Sequence, residues 1–127
     1  MVNPSDRDPL SERVIGLAID VHRALGPGLL ESAYEECLCL ELRQAEIGHA
    51  RQVPLPIIYK GVRLDCGYRL DIVVGEALIL EIKAVEQLLP IHDAQILTYL
   101  RLSGHRAGLL LNFNTALLKN GVRRFVL

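Results

Sequence analysis

The spacing of the apolar residues changes at Gly48, and that change limits the chain to folds in which helices precede and cover a sheet. Before it, Val14, Leu17, Ala18, Val21 and Leu25 recur at helical spacing, with Asp8 and Pro9 as N-cap and N1 residues and Gly26-Pro27-Gly28 as the stop. A second helix is expected from about Leu30 to Ile47, ending at Gly48, with Leu30, Tyr34, Cys37, Leu38, Leu42 and Ala45 as its apolar stripe. Beyond Gly48, QVPLPIIY is rich in β-branched residues, and its two prolines suit an edge strand or a strand start. After a Lys60-Gly61 turn, VRLDCGYRLDIVV alternates, with Gly67 as a bulge or bend, and Gly75-Glu76 leads into ALILEIKAV. Three such strands in succession imply an antiparallel meander. Pro90 opens a third helix, Ile91 to Ser103, that ends at Gly104. AGLLLNF then has the continuous apolar character of a strand buried on both faces, and VRRFVL reads as a last strand. The order αα, βββ, α, β, β predicts an α/β sandwich around a mixed sheet.

A length of 127 residues suits one domain, taken as residues 9–127 behind a loose tail of residues 1–8. No apolar run approaches the roughly 18 residues of a membrane span, and the first ten residues lack the basic start and apolar block of a signal peptide. A cytoplasmic product with no membrane partner is the expectation. Cys37, Cys39 and Cys66 have no CxxC spacing and read as reduced packing residues. Residues 1–47 carry 4 basic and 9 acidic side chains, whereas residues 48–127 carry 10 and 6, so any nucleic-acid affinity must come from a local basic face.

Charged groups stand where the pattern asks for apolar ones. Glu31 projects between Leu38 and Leu42, on the inward stripe of the second helix, although a carboxylate at a helix N-terminus is also favoured by the macrodipole. In YRLDIVV, Asp71 shares a face with Arg69 and Val73; in ALILEIKAV, Glu81 shares one with Ile79, Lys83 and Val85. A two-residue Gly75-Glu76 loop sends Asp71 and Glu81 to opposite faces. A three-residue loop, Gly75 to Ala77, sets them across from one another, with Cβ atoms roughly 4.5 to 5.5 Å apart. Two carboxylates so close repel, and a divalent cation such as Mg²⁺ removes the conflict. Lys83 then stands ready to hold or deprotonate a water, or to stabilise developing phosphate charge; a structural ion pair with either acid is the competing reading. On the third helix His92, Gln95 and Tyr99 are further candidates, Gln95 and Tyr99 sharing a face at i, i+4 to orient a water or a phosphate or to satisfy neighbours. His22 reads as a satisfied core histidine. The chain lacks P-loop, GxGxxG and GxSxG signatures and a zinc-binding histidine pair.

Taken in order, Glu31, Asp71, Glu81-Ile82-Lys83 and Gln95 resemble the PD-(D/E)XK nuclease superfamily. More narrowly, Gly28-Leu-Leu-Glu31-Ser-Ala-Tyr34 matches the motif that names the GxxExxY family within it. The likeness runs from about Val14 to the C-terminus, through VHRALGPGLLESAYEE, RQVPLPIIYKG, YRLDIVV, LEIKAVE and HDAQILTYL. It implies a restriction-endonuclease-like αβββαβ core with an extra N-terminal helix. It implies Asp71, Glu81 and the Ile82 carbonyl as metal ligands, Lys83 as the catalytic lysine, Glu31 as the acid of the first core helix and Gln95 as the glutamine after the motif. Leu70 stands in the place of the usual proline before the aspartate. The reading that follows is a nuclease using Mg²⁺, with Mn²⁺ as an alternative, on DNA in preference to RNA. Arg51, Lys60, Arg63, Arg69, Arg101 and Arg106 are candidate phosphate contacts, and cutting a duplex calls for a homodimer. A non-cleaving nucleic-acid or protein-binding module on the same fold is the alternative, and hydrolysis of another phosphate ester in a closed pocket is a third reading.

Overall fold

Local chemistry sets where the helices begin. In the computed structural model, which describes residues 8–127, Asp8 accepts a hydrogen bond from Ser11 N (2.7 Å) and Pro9 occupies the first turn of α1 (Pro9–Leu25). Apart from this capping Asp8, the expected N-terminal tail lies outside the described residues. Gly26, at φ 68°, ends α1 in a conformation that a side chain would disfavour. The second helix, α2 (Glu31–Gln44), is shorter than expected, because Glu46 turns left-handed (φ 58°) and Ile47 N reaches back to Leu42 O before Gly48. Leu30 is its N-cap and is 79% exposed, so the buried stripe is Tyr34, Glu35, Leu38, Cys39 and Leu42.

The expected first strand is split. β1 (His49–Pro54) joins the main sheet, whereas β2 (Ile57–Tyr59) pairs with β3 (Val62–Leu64) in a separate hairpin. Pro54 and Pro56 lack the N–H groups a continuous ladder needs, and Lys60-Gly61 makes the hairpin turn, both at positive φ. β4 (Arg69–Val74) and β5 (Leu78–Lys83) complete an antiparallel β1-β4-β5 unit. α3 (Pro90–Ser103) then crosses over to β6 (Ala107–Asn112), which pairs in parallel with β5, and a short 3₁₀ turn (Leu118–Gly121) leads to β7 (Val122–Val126), antiparallel to β6. The sheet order is β1-β4-β5-β6-β7, so β1 is an edge strand, which suits the proline at its end.

Alternation along β5 assigns the two faces. Leu78, Leu80 and Ile82 pack with Val14, Ala18, Leu38 and Leu42 of α1 and α2, whereas Ile79 packs with Tyr99 and Leu100 of α3. Gly108 brings α3 close, since a Cβ there would lie 2.9 Å from Ile96 Cδ1. The result is the expected α/β sandwich, a restriction-endonuclease-like fold with a mixed sheet between α1/α2 and α3. His22, buried with its Nε2 2.7 Å from Thr115 O, is the satisfied core histidine expected of it. Cys37 and Cys39 pack against the core, but Cys66 is exposed in the β3–β4 loop and is not a packing residue. Among the described residues no helix is long and apolar enough to cross a membrane.

Candidate active site

The β4–β5 loop has three residues. Ile72 faces Leu80, Val73 faces Ile79 and Val74 faces Leu78, leaving Gly75-Glu76-Ala77 as the turn. Gly75 and Glu76, both at φ 57°, supply the left-handed backbone. Continued by one pair, this register sets Asp71 across from Glu81, and there the main-chain ladder gives way to side chains. Asp71 N donates to Glu81 Oε2 (3.0 Å), and Ile82 N donates to Asp71 Oδ2 (2.8 Å). The ladder to β1 is also interrupted beside Asp71, because Gln52 turns to φ 53° between the Arg51–Ile72 and Val53–Leu70 pairs. The two carboxylates thus satisfy N–H groups that would otherwise be buried without partners.

This arrangement is strained electrostatically in the bare protein. Glu81 is 3% exposed, and burial, with the Asp71 carboxylate second, pushes its pKa up to about 8. Burial also raises Asp71, against the lowering effect of the Ile82 N–H. Each acid keeps one oxygen, Asp71 Oδ1 and Glu81 Oε1, outside these main-chain bonds. Paired hard oxygens whose charges conflict fit a divalent cation that takes one or two protein carboxylates and completes its shell with water. No cluster of three His, Cys, Asp or Glu side chains able to hold a metal occurs among the described residues.

Lys83 follows on the same face, and its Nζ donates to Gln95 Oε1 (3.0 Å); Gln95 Nε2 in turn donates to Tyr99 Oη (3.0 Å). The ion-pair alternative for Lys83 therefore gives way to an amide partner, and burial raises the Tyr99 phenol. His92 caps α3, its Nδ1 accepting from Leu89 N (2.9 Å). Beyond Lys83, Asn112 clips the exit of β5 through both the N–H and the carbonyl of Val85.

Glu31 shares the face of Glu35, Leu38 and Leu42, as expected, but is exposed and not buried, because it is the first residue of α2; its Oε2 accepts from Ala84 N (3.2 Å), next to Lys83. Tyr34 explains that placement. Its hydroxyl donates to Gly26 O (2.7 Å) and accepts from Leu29 N (3.0 Å), tying the loop before α2, where Gly28 sits at φ 105°. Its ring stacks on Phe113 (4.5 Å between centroids), and Phe113 N bonds Lys83 O. The buried acid of α2 is Glu35, which the sequence reading missed. Its spacing with Leu38, Cys39 and Leu42, at i+3, i+4 and i+7, was the available signal. Glu35 accepts from Gln52 Nε2 (3.0 and 3.1 Å) and from Arg51 Nε.

The candidate phosphate contacts divide. Arg51 is committed to Glu35, which raises its pKa, and so is not a free surface cation. Arg106 precedes β6 at the Leu78 end of β5, roughly 17 Å along the strand from Lys83, and does not belong to the site. Lys60 and Arg63 are exposed on the β2–β3 hairpin, Arg69 begins β4 two residues before Asp71, and Arg101 is exposed on α3. A groove of about 550 Å³ lined by Lys83, Gln95, Tyr99, Tyr68 and Ile57 opens at this end of the sheet. No curated protein and no solved structure matches the chain. A family model does: residues 8–125 match the PD-(D/E)XK nuclease superfamily.

Proposed function

Because this chain belongs to the PD-(D/E)XK nuclease superfamily, we propose that it hydrolyses phosphodiester bonds of nucleic acid, DNA in preference to RNA, with Mg²⁺ or Mn²⁺. Superfamily nucleases generally use divalent metal ions. The observation that carries the reading is the pairing of Asp71 with Glu81 across a three-residue loop, with Lys83 on the same face. Asp71 and Glu81 would hold the cation, with the Ile82 carbonyl as a further ligand and Glu31, bonded to Ala84 N, outside that set, and it would there neutralise phosphate charge and lower the pKa of water. Lys83 is the catalytic lysine, its ammonium directed to the phosphate oxygens or the attacking water. Gln95 fixes that amine by accepting its hydrogen bond and is itself held by Tyr99. Lys60, Arg63, Arg69 and Arg101 are the phosphate contacts, and a homodimer would serve duplex cleavage.

We further assign the chain to the GxxExxY group on Gly28, Glu31 and Tyr34, whose turn, carboxylate and loop-tying hydroxyl act together. Residues 9–127 are taken as one domain working in the cytoplasm, in keeping with three free thiols. The open groove favours a polymer over a small phosphate ester in a closed pocket. The second reading, a non-cleaving binding module, draws on the lack of a three-acid cluster among the described residues. Incubation with single-stranded, duplex and RNA substrates separates the two. Cleavage should require Mg²⁺ or Mn²⁺, stop with EDTA, and fall about 10²- to 10⁴-fold in Lys83→Ala and Asp71→Ala. Cleavage that survives both substitutions refutes the nuclease site, and tight metal-independent binding without cleavage establishes the module.

A further inference from the structure

The groove beside Lys83 is larger and more apolar than phosphate chemistry needs. Thr98, Leu102 and Gln95 of α3 line it together with Ile57 of β2 and Tyr68 from just before β4. Tyr68 is 46% exposed, yet its ring is held edge-on against Tyr99, with centroids 6.1 Å apart. None of the lining residues is acidic. Two guanidiniums are anchored to residues of the lining: Arg69 Nη1 donates to Tyr68 O (3.0 Å) and Arg101 Nη2 to Thr98 Oγ1 (3.1 Å). An oriented, half-exposed aromatic ring, an apolar bed, a cationic rim and a lysine at one end match the requirements of a strand with an exposed base and flanking phosphates.

We propose that this groove is a stacking subsite for an unpaired nucleobase next to the phosphate at Lys83, so that the substrate is single-stranded or locally opened nucleic acid. The inference rests on the nuclease reading for the phosphate's position and adds to it the strandedness of the substrate. A paired base turns only its edges outward and must leave its stack before it can lie on Tyr68. Stacking on a tyrosine is indifferent to base identity, so the subsite selects for an open strand and not for a sequence.

The test uses the full chain in EDTA, with anisotropy of a short labelled single-stranded DNA, its duplex form, and a series with one abasic position moved along the strand. Tyr68→Ala should weaken single-strand binding about 5- to 150-fold, as loss of one stacked base does. Tyr68→Trp should retain it, one abasic position should reproduce the loss, and duplex binding should be weaker and indifferent to Tyr68. Circular dichroism checks that the half-exposed Tyr68→Ala chain keeps its fold; if it does not, the abasic series and Tyr68→Trp decide alone. Unchanged single-strand binding in a folded Tyr68→Ala protein, or equal binding of duplex and single strand, overturns the subsite. So does sedimentation showing a wild-type dimer that Tyr68→Ala dissociates with strand binding intact, which assigns the groove to a second copy. Failure of the nuclease reading looks different: no metal-dependent cleavage, but Tyr68-dependent strand binding. Failure of the subsite alone leaves Asp71-dependent cleavage unaffected by Tyr68→Ala.

Discussion

Glu81→Gln should stabilise the metal-free protein at neutral pH, although it removes a residue of the proposed active centre. The folded pKa of Glu81 is pushed up to about 8, chiefly by burial, against an ordinary value of 4.5. The folded state therefore binds more protons than the unfolded state between these values, and stability falls as pH rises through that window. The contribution is fully present below 4.5 and fully lost above about 8. At about 1.4 kcal/mol per pKa unit, the metal-free wild type loses roughly 3 kcal/mol between pH 5 and 7.5. For a chain of this length that is roughly 10 °C in melting temperature. Asp71, also raised by burial, adds a change of the same sign. Glutamine mimics the protonated acid and retains an oxygen for Asp71 N, so Glu81→Gln should nearly match wild type at pH 5 and exceed it at pH 7.5. Urea unfolding in EDTA across this pH range measures both curves. Mg²⁺ should narrow the gap at pH 7.5 by binding the ionised native pair, with little effect on the variant. A metal-free wild type as stable relative to Glu81→Gln at pH 7.5 as at pH 5 would show that burial does not perturb this acid, and the electrostatic case for the metal pair would fail.

Three further outcomes follow from the geometry. Tyr34→Phe leaves Gly26 O and Leu29 N without the hydroxyl; it should cost about 1–3 kcal/mol in urea unfolding and lower kcat/KM, with Glu31→Gln adding little further loss in the double variant. Deleting Ala77 leaves a two-residue Gly75-Glu76 turn that still sets Val74 against Leu78 and Asp71 against Glu81; metal binding measured by calorimetry should persist, and its loss would contradict the register argument. Gly108→Val drives a branched side chain into Ile96, whose Cδ1 already lies 2.9 Å from a Cβ at that position; a loss of about 1–3 kcal/mol is expected, and an unchanged urea midpoint would show that α3 can shift away at little cost.

Much of the fold was legible because hydrophobic period is local. The stops at Gly26 and Gly104, the cap at Asp8 and the unbroken apolar run of β6 need only neighbours in sequence to be read. The separation of the β2–β3 hairpin from the main sheet was hidden because its strands continue the composition of β1 and β4, and only backbone pairing separates them. Arg51 and Arg106 looked like the other cations, since a charge carries no mark of its partner in the chain. Glu31 and Glu35, four residues apart, share one face of α2, and Glu35 is the buried one because Glu31 is the first residue of the helix, beyond the side chains that cover Glu35.

The sequence by itself determined that Asp71 and Glu81 would lie on adjoining strands, because a short turn at Gly75-Glu76 joins two strand-length runs, and that Lys83 would share the face of Glu81, because side chains alternate along a strand. Whether those side chains share a face was decided by the tertiary structure. A two-residue and a three-residue turn are both compatible with Gly75-Glu76-Ala77, and the choice depends on burying Leu78, Leu80 and Ile82 against α1 and α2 while Ile79 meets α3. Shifting the register by one residue would exchange those faces, so packing of the apolar residues places the two acids together.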